Sequence, residues 1–151
     1  MSGNTVFISH RHSVSALWAR AVAQQLRDHQ IGTFFYTGHA DVGDLQPAVL
    51  QQIAARPYFV LILTPGTLKN CHYPGVLVMR EIEEAVRLKR AIVRLQTPEF
   101  DAGDIDQYLP TYLAEQFKST PAYEIPYLSF PTAMQDICTH LLCPPPQRAR
   151  A

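Results

Sequence analysis

Apolar and polar positions along the chain follow two alternating patterns: short apolar runs, and longer stretches with helical spacing. Thr5-Val6-Phe7-Ile8-Ser9 is the first apolar run and reads as a buried strand. His10-Arg11-His12 follows as a loop. Ser13 is a natural N-cap for the next stretch, in which Val14, Leu17, Trp18, Ala21, Val22 and Leu26 recur at helical spacing. Ile31-Gly32 closes that helix, and Thr33-Phe34-Phe35-Tyr36 is a second strand rich in β-formers. A polar loop over 37–44 carries two glycines and leads to a second helix over 45–55, with Val49, Leu50 and Ile53 inward. Tyr58-Phe59-Val60-Leu61-Ile62-Leu63-Thr64 is continuously apolar until its last residue, as expected of a central parallel strand buried on both faces. Pro65-Gly66 breaks the chain. The clearest helix spans 76–90, with Val78, Met79, Ile82, Ala85 and Val86 along one face. A fourth strand covers 91–95, and a short helix runs from about 105 to 117. A fifth, edge-like strand is expected over 122–128, since Pro126 is tolerated only at an edge, and a last helix over 132–142.

This strict alternation implies an α/β domain with a five-stranded parallel sheet covered by helices on both faces. The natural strand order is the flavodoxin-like 2-1-3-4-5. Such sheets bind ligands beyond the carboxyl ends of their strands, near the switch point between strands one and three. That rule gathers residues 9–12, 36–44 and 64–73 around one crevice.

Composition narrows the class. At 151 residues, 47% of them hydrophobic, the chain has enough apolar mass for one globular core. The domain is expected over 1–142. The remainder, 143–151, opens with three prolines and reads as an extended linker to a fused or associated domain. Thirteen basic residues balance thirteen acidic ones, which argues against a dedicated nucleic-acid binder and tolerates self-association. No apolar run approaches the roughly 18 residues that a membrane span needs, and residues 1–5 lack the pattern of a signal peptide. Three scattered cysteines, Cys71, Cys138 and Cys143, read as reduced thiols, which places the chain in the cytoplasm.

The order of short boxes carries a resemblance. Val6-Phe7-Ile8-Ser9-His10-Arg11 resembles the opening box of Toll/interleukin-1 receptor (TIR) domains. Leu61-Ile62-Leu63-Thr64-Pro65-Gly66-Thr67-Leu68 looks like the third strand and following loop of their bacterial members. Arg80-Glu81-Ile82-Glu83-Glu84-Ala85 resembles the signature of their third helix, and Ala91-Ile92-Val93 the strand after it. The likeness covers about residues 5–142. It implies one of two activities. Many bacterial and plant members cleave the nicotinamide–ribose bond of NAD+ on oligomerisation, often in antiphage defence. Others are non-catalytic adaptors that act by TIR–TIR association. NAD+ is then a substrate rather than a resident cofactor, no metal is implied, and the partners are other TIR domains and a fused or associated sensor.

The resemblance assigns the catalytic carboxylate to Glu81. It places Ser9, His10, Arg11, Tyr36, Gly43, Asp44 and Leu77 around the NAD+. Cleavage of an N-glycosidic bond builds positive charge on the ribose, which a carboxylate stabilises, and nicotinamide is already a cationic leaving group that departs without protonation. With Ile82 at the centre of the buried face, Glu81 lies about 100° away, at the edge of that face. The residues themselves also fit a plainer role, since Arg80, Glu83, Glu84 and Arg87 are spaced for surface ion pairs.

Other positions carry further expectations. Arg11, beside a helix N-terminus, suits a pyrophosphate or equally a neighbouring carboxylate. His10 and His12 read as solvent-exposed. Cys138 and His140 point about 200° apart on a helix and cannot chelate together, so Cys138 and Cys143 read as core fillers. Residues 38–44 correspond to the family's gating and assembly loop. Tyr36 replaces an acidic residue of many active relatives. Leu77 replaces their Trp, one helical turn before Glu81, and Tyr73 is the aromatic nearest in sequence to make up for it. A nucleotide or phosphate binder outside the family is a third reading. No Gly-rich phosphate loop and no acidic cluster at the strand ends support it.

Overall fold

Five strands, all parallel, form one sheet in the order β2-β1-β3-β4-β5, the order expected from the sequence. The structure is a computed structural model and describes residues 5–35, 41–73 and 75–142. The strands are β1 (Thr5–Ser9), β2 (Gly32–Phe34), β3 (Tyr58–Leu63), β4 (Ala91–Gln96) and β5 (Ala122–Glu124). The helices are α1 (His12–Asp28), α2 (Pro47–Ala55), α3 (Leu77–Arg87), α4 (Gly103–Tyr108), α5 (Thr111–Lys118) and α6 (Phe130–Leu142).

Strand alternation divides the core into two layers. Phe7, Phe59, Leu61 and Leu63 face α2, α3, α4 and α5, where Ile53, Ile82, Ile105 and Phe117 meet them. Val6, Ile8, Tyr58, Val60 and Ile62 face α1 and α6, against Val22, Leu26, Met134 and Ile137. All six residues of β3 are buried, which is why its sequence does not alternate. Phe7 and Phe59 stack with centroids 5.5 Å apart and planes 6° from parallel, fixing the β1–β3 register that pairs Phe7 with Phe59.

Several expected boundaries move, each for a local reason. Pro47 takes the first turn of α2, where its missing N–H is harmless, so that helix starts two residues late. Pro110 splits the helix expected over 105–117 into α4 and α5. The fifth strand ends at Glu124. Ile125 still donates its N–H to Gln96 O at 2.8 Å, and Pro126 has none to continue the pairing. The buried stripe of α1 is Ser15, Ala19, Val22, Ala23 and Leu26, rotated from the expected one, so Val14 and Leu17 are exposed. Both α1 and α3 end in a left-handed residue that is not glycine, Gln30 at φ 63° and Lys89 at φ 58°. In each case the following N–H returns to the helix, Ile31 to Leu26 O and Arg90 to Ala85 O, both at 2.9 Å.

Cys71 and Cys138 are buried free thiols, and Cys138 packs with α6 against the sheet as expected. Cys143 and the linker expected over 143–151 lie outside the described residues. No helix among the described residues is long and apolar enough to cross a membrane.

Candidate functional site

β1 ends in a hydroxyl and α3 presents a carboxyl to it. Ser9 Oγ donates to Glu81 Oε1 at 2.6 Å, and both side chains are buried. The helix phase explains the depth. Glu81 belongs to the stripe Val78, Met79, Ile82 and Ala85 that packs on the sheet, so it lies within the buried face rather than at its edge. Burial pushes its carboxyl up to about 8, against the opposing pull of the Ser9 hydrogen bond. A carboxyl group is thus held largely protonated at neutral pH, at the carboxyl end of the central strands.

A second cluster lies beside it and turns on a residue that the sequence did not single out. Asp41 Oδ1 accepts the Ser13 N–H at 3.1 Å. Its Oδ2 accepts from the Ser13 hydroxyl and, at 3.3 Å, from Arg11 Nε. The carboxylate therefore sits on the first turn of α1. It does the capping expected of Ser13, which lies one residue inside the helix with Arg11 at the cap position. Burial raises the Asp41 carboxyl, but the Ser13 and Arg11 hydrogen bonds outweigh it and hold the group below the usual carboxylate value. Arg11 also donates to Thr67 O at 3.4 Å and to Lys69 O. Of the two roles open to Arg11 from sequence, the structure shows the carboxylate pairing, with Asp41.

The Asp41 backbone continues the clasp. Its carbonyl accepts the Leu77 N–H at 2.8 Å, serving the first turn of α3, while the Gly43 N–H donates to Gly75 O at 2.8 Å. Val42 and Val76 form an isolated antiparallel bridge between these contacts. Gly43 has φ 148° and Gly75 φ 87°, values that favour glycine on both sides of the clasp. One segment thus ties the N-termini of α1 and α3 together. Asp41→Ala is expected to lower unfolding stability by about 1.5 kcal/mol, the loss of a helix cap and a partly buried charged pair. Urea denaturation of both proteins at pH 7 checks this; an unchanged midpoint would show the clasp to be energetically idle.

The remaining expected site residues scatter. His10 is half-buried rather than exposed, its ring edge-on to Phe35 at 5.7 Å. Burial, with help from His12, pushes it down to about 4. Asp44 is almost fully exposed and makes only a long 3.9 Å ion pair to Arg80. Leu77 is half-buried, one turn from Glu81. Tyr36 lies outside the described residues. Tyr73 lines a cleft of about 500 Å³ beside α3, with His72, Met79, Arg80, Glu83 and Tyr108; Leu77 is not among the lining residues. The expected surface pairing on α3 is present between Arg87 and Glu84, 2.6 Å apart. Among the described residues no cluster of three or more His, Cys, Asp or Glu is arranged to hold a metal ion.

No family model matches the chain, and no curated protein matches it significantly in sequence. Among solved structures, the chain is similar to the TIR domains in the structure of the activated Roq1 resistosome directly recognising the pathogen effector XopQ. That alignment has a TM-score of 0.53 and 11% identity, and covers 90% of this chain and 84% of that one. A response regulator from Colwellia psychrerythraea aligns with a TM-score of 0.47 and 9% identity, over 92% of this chain and 99% of the other. The class defined by sheet order and packing is the flavodoxin-like α/β domain. Within that class, the chain shares its shape with a TIR domain.

Proposed function

We propose that the chain is a TIR-type effector domain that cleaves the nicotinamide–ribose bond of NAD+ on self-association. The observation that carries this reading is the Ser9–Glu81 pair, a buried carboxyl and hydroxyl 2.6 Å apart at the carboxyl end of the sheet. The reading also draws on the sequence boxes and on the shape shared with the Roq1 TIR domains.

The chemistry follows from the charge the carboxyl would face. In the resting state burial favours neutral Glu81. A cationic nicotinamide riboside placed beside it favours the ionised form, because an opposite charge nearby lowers a carboxyl pKa. As nicotinamide departs with the electrons of the C–N bond, positive charge grows on the ribose and Glu81 stabilises it. Water then adds to the anomeric carbon and releases a proton. The hydroxyl of Ser9 holds the carboxylate in place. The diphosphate needs an anion position, and Arg11 with the first turn of α1 offers one once Asp41 withdraws. In this reading, closure of the 41–43 clasp keeps the single domain idle, and assembly opens it.

The experiment is NAD+ consumption by concentrated or crowded protein, with nicotinamide release as the readout. Nicotinamide release within hours supports the reading; intact NAD+ with folded, assembled protein overturns it. Leu77→Trp probes the missing aromatic. Stacking on the nucleotide is expected to lower KM about fivefold, corresponding to about 1 kcal/mol. An unchanged KM would place the nucleotide away from this turn of α3.

A second reading, a non-catalytic module that works by self-association, has one observation in its favour. Leu17 and Leu128 are more than four-fifths exposed and neighbour Trp18 and the exposed Tyr127, whose rings meet at 5.1 Å. Assembly by light scattering without NAD+ turnover would select it.

A further inference from the structure

The opposite end of the sheet carries a groove that the NAD+ reading does not use. It opens at the amino end of β4 and has a volume of about 500 Å³, within the range of small-molecule sites. Val86, Ile92 and Pro121 give it apolar walls, and Gln116 and Thr120 add polar groups. Lys89, Arg90 and His140 line it as well, and no Asp or Glu does.

The cations at this end lack counter-charges. The ion pairs among the described residues are Arg11–Asp41, Arg80–Asp44, Arg87–Glu84 and Lys118–Asp106. None involves Lys89, Arg90 or Arg94. Arg90 is pinned by neutral carbonyls, donating to Leu88 O from Nε and Nη2 and to Ala54 O from Nη1. Arg94 stands just behind the lining. It is only 8% exposed, yet its hydrogen bonds go to Thr120 Oγ1 at 2.9 Å and Thr120 O at 3.2 Å. A buried guanidinium held only by neutral groups is costly in isolation, and a low-dielectric surround projects its field outward. Lys89, at the left-handed cap of α3, lines the groove and forms no ion pair among the described residues.

The lining is also fixed before any ligand arrives. Thr120 Oγ1 donates to Phe117 O at 2.6 Å while accepting from Arg94. Nδ1 of His140 is 2.6 Å from the Tyr123 hydroxyl, and its ring meets Tyr58 edge-on. Burial raises the Tyr123 phenol and Asp136, one turn back on α6 from His140, adds to the rise, but Asp136 is not part of the lining. Positive potential without carboxylates, beside apolar walls and fixed polar groups, is the complement of an anion with an apolar body.

We propose that this groove is a second ligand site, independent of NAD+ cleavage, for a small organic anion: one carboxylate or phosphate monoester head on a flat apolar body. The test uses the full chain, 15N-labelled, titrated with 1-naphthoate, 1-naphthyl phosphate and neutral 1-naphthalenemethanol. Saturable amide shifts at 88–93 and 116–120 are expected with the anions. The neutral alcohol should bind at least tenfold more weakly. Lys89→Glu and Gln116→Glu lie on the surface and keep the fold, and each should weaken the anions about tenfold. The tighter of the two anions identifies the head group. Four results would each overturn the proposal: equal affinity for the alcohol, no saturable shift, indifference to both charge changes, or shifts gathered at Leu17, Trp18 and Tyr127 instead.

Discussion

Glu81→Gln is expected to lower NAD+ cleavage at least a hundredfold while leaving the protein folded. The substitution keeps the shape and a hydrogen-bond acceptor for Ser9 Oγ, which now lies 2.6 Å from Oε1. It removes the ability to carry negative charge as the ribose becomes cationic. Losing one such electrostatic contact typically costs about 3 kcal/mol of transition-state stabilisation, or roughly two orders of magnitude in rate. The wild-type rate should also rise with pH toward about 8, where the free protein's Glu81 ionises. Nicotinamide release by both proteins, with circular dichroism and light scattering as controls, decides the matter. Equal turnover in wild type and variant would remove Glu81 from the chemistry and leave its burial to be explained by structure.

The second large effect is on stability, and its sign follows from two buried groups that oppose each other. Glu81 is raised from 4.5 to about 8 in the fold. Between those values the unfolded chain has lost a proton that the folded chain keeps, so stability falls as pH rises through that interval. His10 is lowered from 6.5 to about 4. Between those values the unfolded chain binds a proton that the folded chain refuses, so stability rises with pH there. The two slopes cancel from about pH 4.5 to 6.5. Above 6.5 only the Glu81 slope survives, about 1.4 kcal/mol per pH unit, or about 2 kcal/mol by pH 8. Asp41, lowered from 3.8, and Cys71, raised from 9.0, titrate outside that window. Urea unfolding at pH 5, 6.5 and 8 should therefore show a plateau and then a fall. Glu81→Gln should instead rise to pH 6.5 and stay level. A wild type equally stable at 6.5 and 8 would mean that the buried carboxyl is already ionised at neutral pH.

These two groups mark where sequence reading succeeded and where it stopped. Periodicity found every strand and the sheet order, because β3 is buried on both faces and α3 has a strong apolar stripe. Glu81 was singled out by the resemblance alone; periodicity set it at the edge of the buried face, because a 100° turn per residue does not fix how wide the buried stripe is, and the stripe here includes Glu81. Asp41 escaped notice for a different reason. Its partners Arg11, Ser13 and Leu77 lie 28 to 36 positions away, and only the folded sheet brings these loops together. The sequence offers Ser13 as a local cap, so nothing in it signals that the first turn of α1 takes its acceptor from Asp41. Arg94 had a clearer signal, a lone charge inside the apolar strand Ala91-Ile92-Val93-Arg94-Leu95. A charge there is buried by its strand and has to find partners inside the fold.

The sheet order has a consequence for how the chain reaches this state. Every ladder is parallel, so no neighbouring pair can close as a local hairpin. The central pairing joins Val6 to Tyr58 across most of the first half of the chain. Loop-closure entropy must be met before that contact returns any energy, which makes folding slow relative to a helical bundle of this size. During the delay the least polar segment of the sequence, Tyr58–Leu63, has neither strand partner in place. Nascent chains therefore compete with one another for that segment, and the same six residues that anchor the finished core are the ones most prone to join two unfinished molecules.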